Sequence, residues 1–135
     1  MEVVNIIKNN DLCFIRYIDG TIYIGNFLNI DGKTIPDEIG KLIFSSGEFY
    51  EGDFSEGKIN GVGKYVNSVG NEYLGEWSEN MQNGYGIETL GDIKFEGKFL
   101  NGKKLLGKMY WNDGSSYYGE FNNNSFNGFV RIFNF

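Results

Sequence analysis

The stretch Tyr50-Glu51-Gly52-Asp53-Phe54 recurs along the chain in four further versions. They are Tyr23-Ile24-Gly25-Asn26-Phe27, Tyr73-Leu74-Gly75-Glu76-Trp77, Phe95-Glu96-Gly97-Lys98-Phe99 and Tyr117-Tyr118-Gly119-Glu120-Phe121. The central glycines stand 27, 23, 22 and 22 residues apart. A period in this range marks repeats, each a single supersecondary unit that cannot bury its own apolar face, so that neighbours must stack to make a core.

Each unit reads as a β-hairpin. In Tyr50–Phe54 the two rings and the glycine alternate with Glu51 and Asp53, the period of a half-buried strand. A polar connection over residues 55–61 follows, then a second strand rich in β-branched and aromatic residues, Val62–Val66. Gly20, Gly47, Gly70 and Gly114 each precede a ring by three residues, where a tight turn between units needs positive φ. The chain therefore parses as antiparallel strands in sequence order, with no helical period. Glycine inside a strand leaves room for a ring to lie on the backbone, and Gly61, Gly63, Gly84 and Gly86 are expected to receive rings from a neighbouring hairpin. In the fourth unit Leu106 and Lys108 stand where glycines are expected and Gly107 falls between them, which predicts a disturbed register. The first unit is longer by about four residues and holds the only proline, Pro36, which predicts a longer loop between Phe27 and Gly40.

Composition narrows the function classes. The formal charge of −6 disfavours a phosphate backbone as the main ligand. The single cysteine, Cys13, allows no internal disulfide, and the N-terminus has no long apolar run, so a reducing, cytoplasmic setting is expected. No stretch approaches the roughly 20 apolar residues of a spanning helix. With no histidine the chain lacks the usual general base and the commonest neutral metal ligand. Cys13 reads as a small buried hydrophobe, and the carboxylates follow the repeat on the face opposite the rings, as a solvated face does. No catalytic residue, metal site or cofactor is expected.

The run Tyr50–Trp77, with its ring, glycine, ring and paired glycines in register, resembles tandem MORN (membrane occupation and recognition nexus) repeats, and the resemblance extends over residues 13–135. It implies an all-β fold of antiparallel hairpins stacked into an elongated, twisted, single-layer sheet, with residues 1–12 as an N-terminal capping segment. It also implies a non-catalytic adaptor associated with cytoskeleton, cilium or cell cortex. Both faces of such a sheet cannot be buried by the sheet itself, so some apolar area must meet a partner. One candidate surface is the ring-bearing face: Tyr50, Phe54, Tyr73, Trp77, Phe95, Phe99, Tyr117 and Phe121. A second stripe runs along the other strands at Val62, Val66, Tyr85, Ile87, Met109, Trp111, Phe129 and Phe133, with Tyr85 and Trp111 as its anchors. The expected occupant is a helix or extended segment of another protein, with homodimerisation as a compatible arrangement. The alternative is an anionic membrane surface met by Lys98, Lys103, Lys104 and Lys108.

Overall fold

The computed structural model describes residues 2–122 and the backbone of strand residues 125–133. Twelve strands form one sheet in strict sequence order, every pair antiparallel. They are β1 (Val3–Asn9), β2 (Leu12–Tyr17), β3 (Ile22–Ile30), β4 (Lys33–Ile43), β5 (Phe49–Ser55), β6 (Lys58–Val66), β7 (Glu72–Ser78), β8 (Met81–Leu90), β9 (Ile93–Leu100), β10 (Lys103–Tyr110), β11 (Ser116–Asn122) and β12 (Ser125–Phe133). The expected all-β stack of hairpins is thus an open meander, β1 pairing with β2 at its N-terminal edge. Phe129 and Phe133 of the second stripe lie outside the residues whose side chains are described.

The hairpin turns are shorter than the sequence suggested. Asp31-Gly32, Glu56-Gly57, Glu79-Asn80 and Asn101-Gly102 all have positive φ and link directly paired strand ends, as two-residue type I′ turns do. The polar run after Ser55 is therefore mostly strand. The long first unit has no long loop either: its extra residues add rungs such as Leu28 to Ile35 and Asn29 to Thr34. Extension was not predicted because a polar, proline-bearing run looks like a loop when its strand partner is unknown.

A row of glycines crosses the sheet. Gly25, Gly40, Gly52, Gly63, Gly75, Gly86, Gly97, Gly107 and Gly119 are each paired with the next, and Cys13 opposes the first. Their missing side chains are what the packing uses. A Cβ on Gly63 would lie 2.1 Å from the Tyr50 hydroxyl, and one on Gly86 2.4 Å from the Tyr73 ring. Rings do lie on glycine, but Tyr23, Tyr50 and Tyr73 each cover the glycine of their own hairpin, Gly40, Gly63 and Gly86, not that of a neighbour. Gly61 and Gly84 receive no ring: a Cβ there would meet the carboxylates of Asp53 and Glu76.

Those two glycines belong to bulges. Opposite Asp53 the strand β6 carries extra residues, since Gly52 pairs with Gly63 but Phe54 pairs with Ile59. Asp53 Oδ2 seals the bulge by accepting the Val62 N–H at 2.9 Å, and Glu76 Oε1 accepts that of Tyr85 at 3.0 Å. Inside the hairpin the tyrosine hydroxyl donates to the carbonyl three residues on: Tyr50 to Asp53 at 2.8 Å, Tyr73 to Glu76 at 2.8 Å, Tyr117 to Glu120 at 2.7 Å. The fourth unit has a bulge one residue shorter, with Phe95 lacking the hydroxyl and Lys98 lacking an acceptor. The shorter bulge brings Gly107 opposite Gly97, so the row of glycines continues through the unit whose spacing seemed broken.

The core is a chain of edge-to-face rings on one side of the sheet. It runs Tyr23, Phe54, Tyr50, Trp77, Tyr73, Phe99, Phe95, Phe121, Tyr117, with centroids 4.9–5.4 Å apart and ring planes 83–89° to one another. Tyr23, Tyr50, Tyr73 and Phe95 lie on glycine, and first-position and second-position rings alternate along the chain of contacts, so the hairpins interlock without a second layer of structure. Backbone bonds stitch the turns as well: the N–H groups of Gly57, Asn80 and Gly102 donate to the carbonyls of Pro36, Ile59 and Gln82 in the preceding hairpin, at 2.8–2.9 Å.

Candidate functional site

Eight of the ten rings expected to bind a partner are spent on this core. Tyr50, Phe54, Tyr73, Trp77, Phe95, Phe99, Tyr117 and Phe121 are between 0 and 9% exposed. The Trp77 Nε1–H is also used, donating to the Gly63 carbonyl at 3.0 Å. Desolvation pushes the phenols of Tyr23, Tyr50 and Tyr73 far above their ordinary range, which keeps their hydroxyls as donors. Burial likewise raises the Cys13 thiol, the opposite of what a reactive thiolate needs.

The second stripe divides between the two faces. Val62, Tyr85 and Ile87 are exposed on the face away from the rings, Tyr85 with the Lys98 ammonium 5.3 Å from its centroid. Met109 and Trp111 are half-buried against the core. One residue fewer in the fourth bulge reverses which side of the sheet the second strand presents to each position.

What remains open on the ring-bearing side is a trough. One cavity of about 640 Å³ is lined by Val3, Ile6, Tyr17, Ile35, Pro36, Leu42, Phe54 and Gly57, among others. A second, of about 520 Å³, continues from the shared Leu42 and Gly57 to Phe44, Ile59, Tyr65, Trp77, Asn80, Met81, Gln82 and Gly102. The trough thus crosses strands β1 to β8, roughly 30 Å at the usual strand spacing. Its floor is built by residues that pair with the second-position rings, Pro36, Ile59 and Gln82, and its wall by residues that pair with the first-position rings, Leu42 and Tyr65. The Tyr65 hydroxyl donates to the Glu48 carboxylate, which fixes that ring at the edge of the opening.

The fourth unit closes the apolar run. Lys104 occupies the floor position and Glu88 the wall position, and they form an ion pair at 2.6 Å with side chains 10% and 17% exposed. The Lys104 ammonium also lies 5.5 Å from the Phe95 ring centroid. One of the four lysines expected to form a basic patch, Lys104, is drawn into this ion pair. Lys104 faces inward, whereas Lys98 and Lys108 stand over the rings of Tyr85 and Tyr110, and Lys108 pairs across the ladder with Glu96.

One rim of the trough is formed by the turns between units, and it is acidic. Asp19, Glu48, Asp92 and Asp113 lie in four of them, and the segments 17–21, 44–48, 67–71, 90–93 and 111–115 contain no Lys or Arg. Asp19 accepts the Thr21 N–H at 2.9 Å, and Asp113 accepts the Ser115 hydroxyl at 2.6 Å and the Ser115 N–H at 2.9 Å; these bonds hold the two carboxyls below their ordinary range.

Leu42, Phe44, Ile59 and Met81 were absent from the expected binding residues. A signal for Phe44 was present: an aromatic three residues before the turn glycine recurs as Tyr17, Phe44 and Trp111, and in each case the glycine N–H donates to that residue's carbonyl. Ile59 and Met81 had none, because their side of the sheet depends on the bulge.

No curated protein matches the chain. The family model for the MORN repeat matches residues 50–72 and 73–92, the second and third hairpin units. The other units share their row of glycines and interlocked rings, and residues 50–92 are identified as two MORN repeats.

Proposed function

We propose that this protein is a non-catalytic scaffold that holds a helical or extended segment of a partner protein in the trough of its first three units. MORN repeats are in general modules of protein or membrane-lipid interaction. The observation that carries the protein reading is the trough itself: an apolar opening on a face whose large rings are already satisfied by the core. About 20 residues of helix span 30 Å, which matches the length available. The same reading sets the protein in the cytoplasm, where its one unpaired, buried thiol needs no partner, and near the cytoskeleton. Should two copies associate, β1 offers the means, an edge strand exposed along all seven of its residues.

The test is affinity capture from the native cell with three folded baits: the parent, Phe44→Asn/Met81→Gln in the trough, and Tyr85→Ser on the opposite face. Asparagine is compatible at position 44, because Asn67 begins the equivalent turn and accepts the N–H groups of Val69 and Asn71. A protein held by the parent and Tyr85→Ser but lost from the trough variant is the expected result. Capture lost only with Tyr85→Ser would move the site to the other face and overturn the reading.

A further inference from the structure

The trough is apolar along its floor and acidic along its turn edge; Lys33 lines the first cavity at the hairpin-tip end, away from that edge, and two other basic groups beside the trough are engaged in ion pairs. At the hairpin tips Lys58 is paired with Glu79 at 2.7 Å, and at the closed end Lys104 is paired with Glu88. Glu48 and Glu56, which flank the second cavity from opposite ends of the hairpin, are in no ion pair among the described residues. The turn rim adds Asp19 beside Tyr17 and the first cavity, and Asp92 and Asp113 farther along. Such an edge attracts cations over about 8 Å at physiological salt, and it repels both acidic peptides and anionic lipid surfaces.

Resting on the trough reading above, we propose that the partner segment is basic and amphipathic: apolar side chains seat between Leu42, Phe44, Ile59, Tyr65 and Met81, and Lys or Arg residues lie along the turn rim beside Asp19 and Glu48. Apolar anchoring supplies the affinity and the rim supplies sign selection and rapid encounter. The ion pair of Glu88 and Lys104 ends the apolar floor, so the anchors fall within the first three units and the register of the segment is set. Asp19 accepts the Thr21 N–H at 2.9 Å, and this bond holds its carboxyl below the ordinary range, so the negative charge at that point of the rim is fixed by the turn.

The test is a selection from a displayed library of 20-residue amphipathic peptides, apolar on one face and with Lys, Glu, Ser and Gln randomised on the other. The full chain is the target. Retained sequences are expected to carry a net positive polar face, to lose binding to Phe44→Asn/Met81→Gln, and to bind at least tenfold more weakly to Asp19→Asn/Glu48→Gln. Asparagine and glutamine keep the acceptors that the turn and Tyr65 use, and unchanged melting temperatures establish that both variants fold. Peptides that need the trough but show no charge preference would overturn the basic assignment and leave the docking reading standing. Peptides indifferent to the trough variant, or no enrichment, would overturn both. Sedimentation with phosphatidylserine vesicles that is lost in the trough variant would replace the peptide by a membrane and overturn the proposal.

Discussion

Gly63 is required for the Cβ it lacks. The Tyr50 ring fills that space and its hydroxyl reaches on to the Asp53 carbonyl, so one contact both packs the face and closes the bulge. Edge-to-face pairs contribute about 0.5–1.5 kcal/mol each beyond burial, and a chain of eight is comparable with the whole net stability of a domain. Displacing one ring therefore has a large effect. Gly63→Ala is expected to cost about 3 kcal/mol by the overpacking it forces. Denaturant unfolding of Gly63→Ala, Tyr50→Ala and the double variant measures this, and the double variant should lose clearly less than the sum because the clash has gone. Strict additivity would mean that ring and glycine do not meet. Much of this was legible: aromatic, glycine, aromatic at constant spacing already implies ring over glycine. Which glycine is covered was not, because Gly61 and Gly63 look alike until the bulge places one against a carboxylate and the other beneath a ring.

At the scale of the hairpin, the bulge decides what each second strand shows. A period-two reading assigns faces correctly only while pairing stays in register, and an extra residue inverts every later position. Strand order, turn glycines and the pairing of units could be read from the sequence; the inward turn of Met109, Trp111 and Lys104 could not. The fourth unit also carries an interaction that its neighbours replace by apolar contacts. Lys104 and Glu88 occupy the positions of Ile59 and Tyr65. Removing one partner of a mostly buried pair is more damaging than removing both. Lys104→Met is expected to lower stability by about 3 kcal/mol, with Glu88→Met/Lys104→Met recovering most of it. Equal losses in the single and double variants, measured by thermal unfolding, would show that the pair does not act as a unit.

For the whole molecule, one interlocked sheet implies a characteristic response to pH. The chain has no histidine, so none of its folded-state stability rests on imidazole titration. The phenols of Tyr23, Tyr50 and Tyr73 are raised by burial, so the native state holds their protons more tightly than the unfolded chain does. Their contribution is complete below the unfolded value of about 10 and is lost as pH rises above it. Stability should accordingly fall steeply in the alkaline range, and phenolate absorbance from these three rings should appear together with unfolding. Ionisation of all tyrosines while far-ultraviolet dichroism remains native would contradict the burial of the ring chain.

The same whole-molecule view separates structure from docking: the large rings hold the sheet together, and the trough beside them is the docking site proposed here. Site-specific photocrosslinking in cells tests this most directly, with a benzophenone side chain placed at Met81 within the trough and, separately, at Tyr85 on the opposite face, both exposed positions. The account predicts a discrete protein adduct from Met81 and none from Tyr85. An adduct from Tyr85 alone would contradict it and place the working surface on the other side of the sheet.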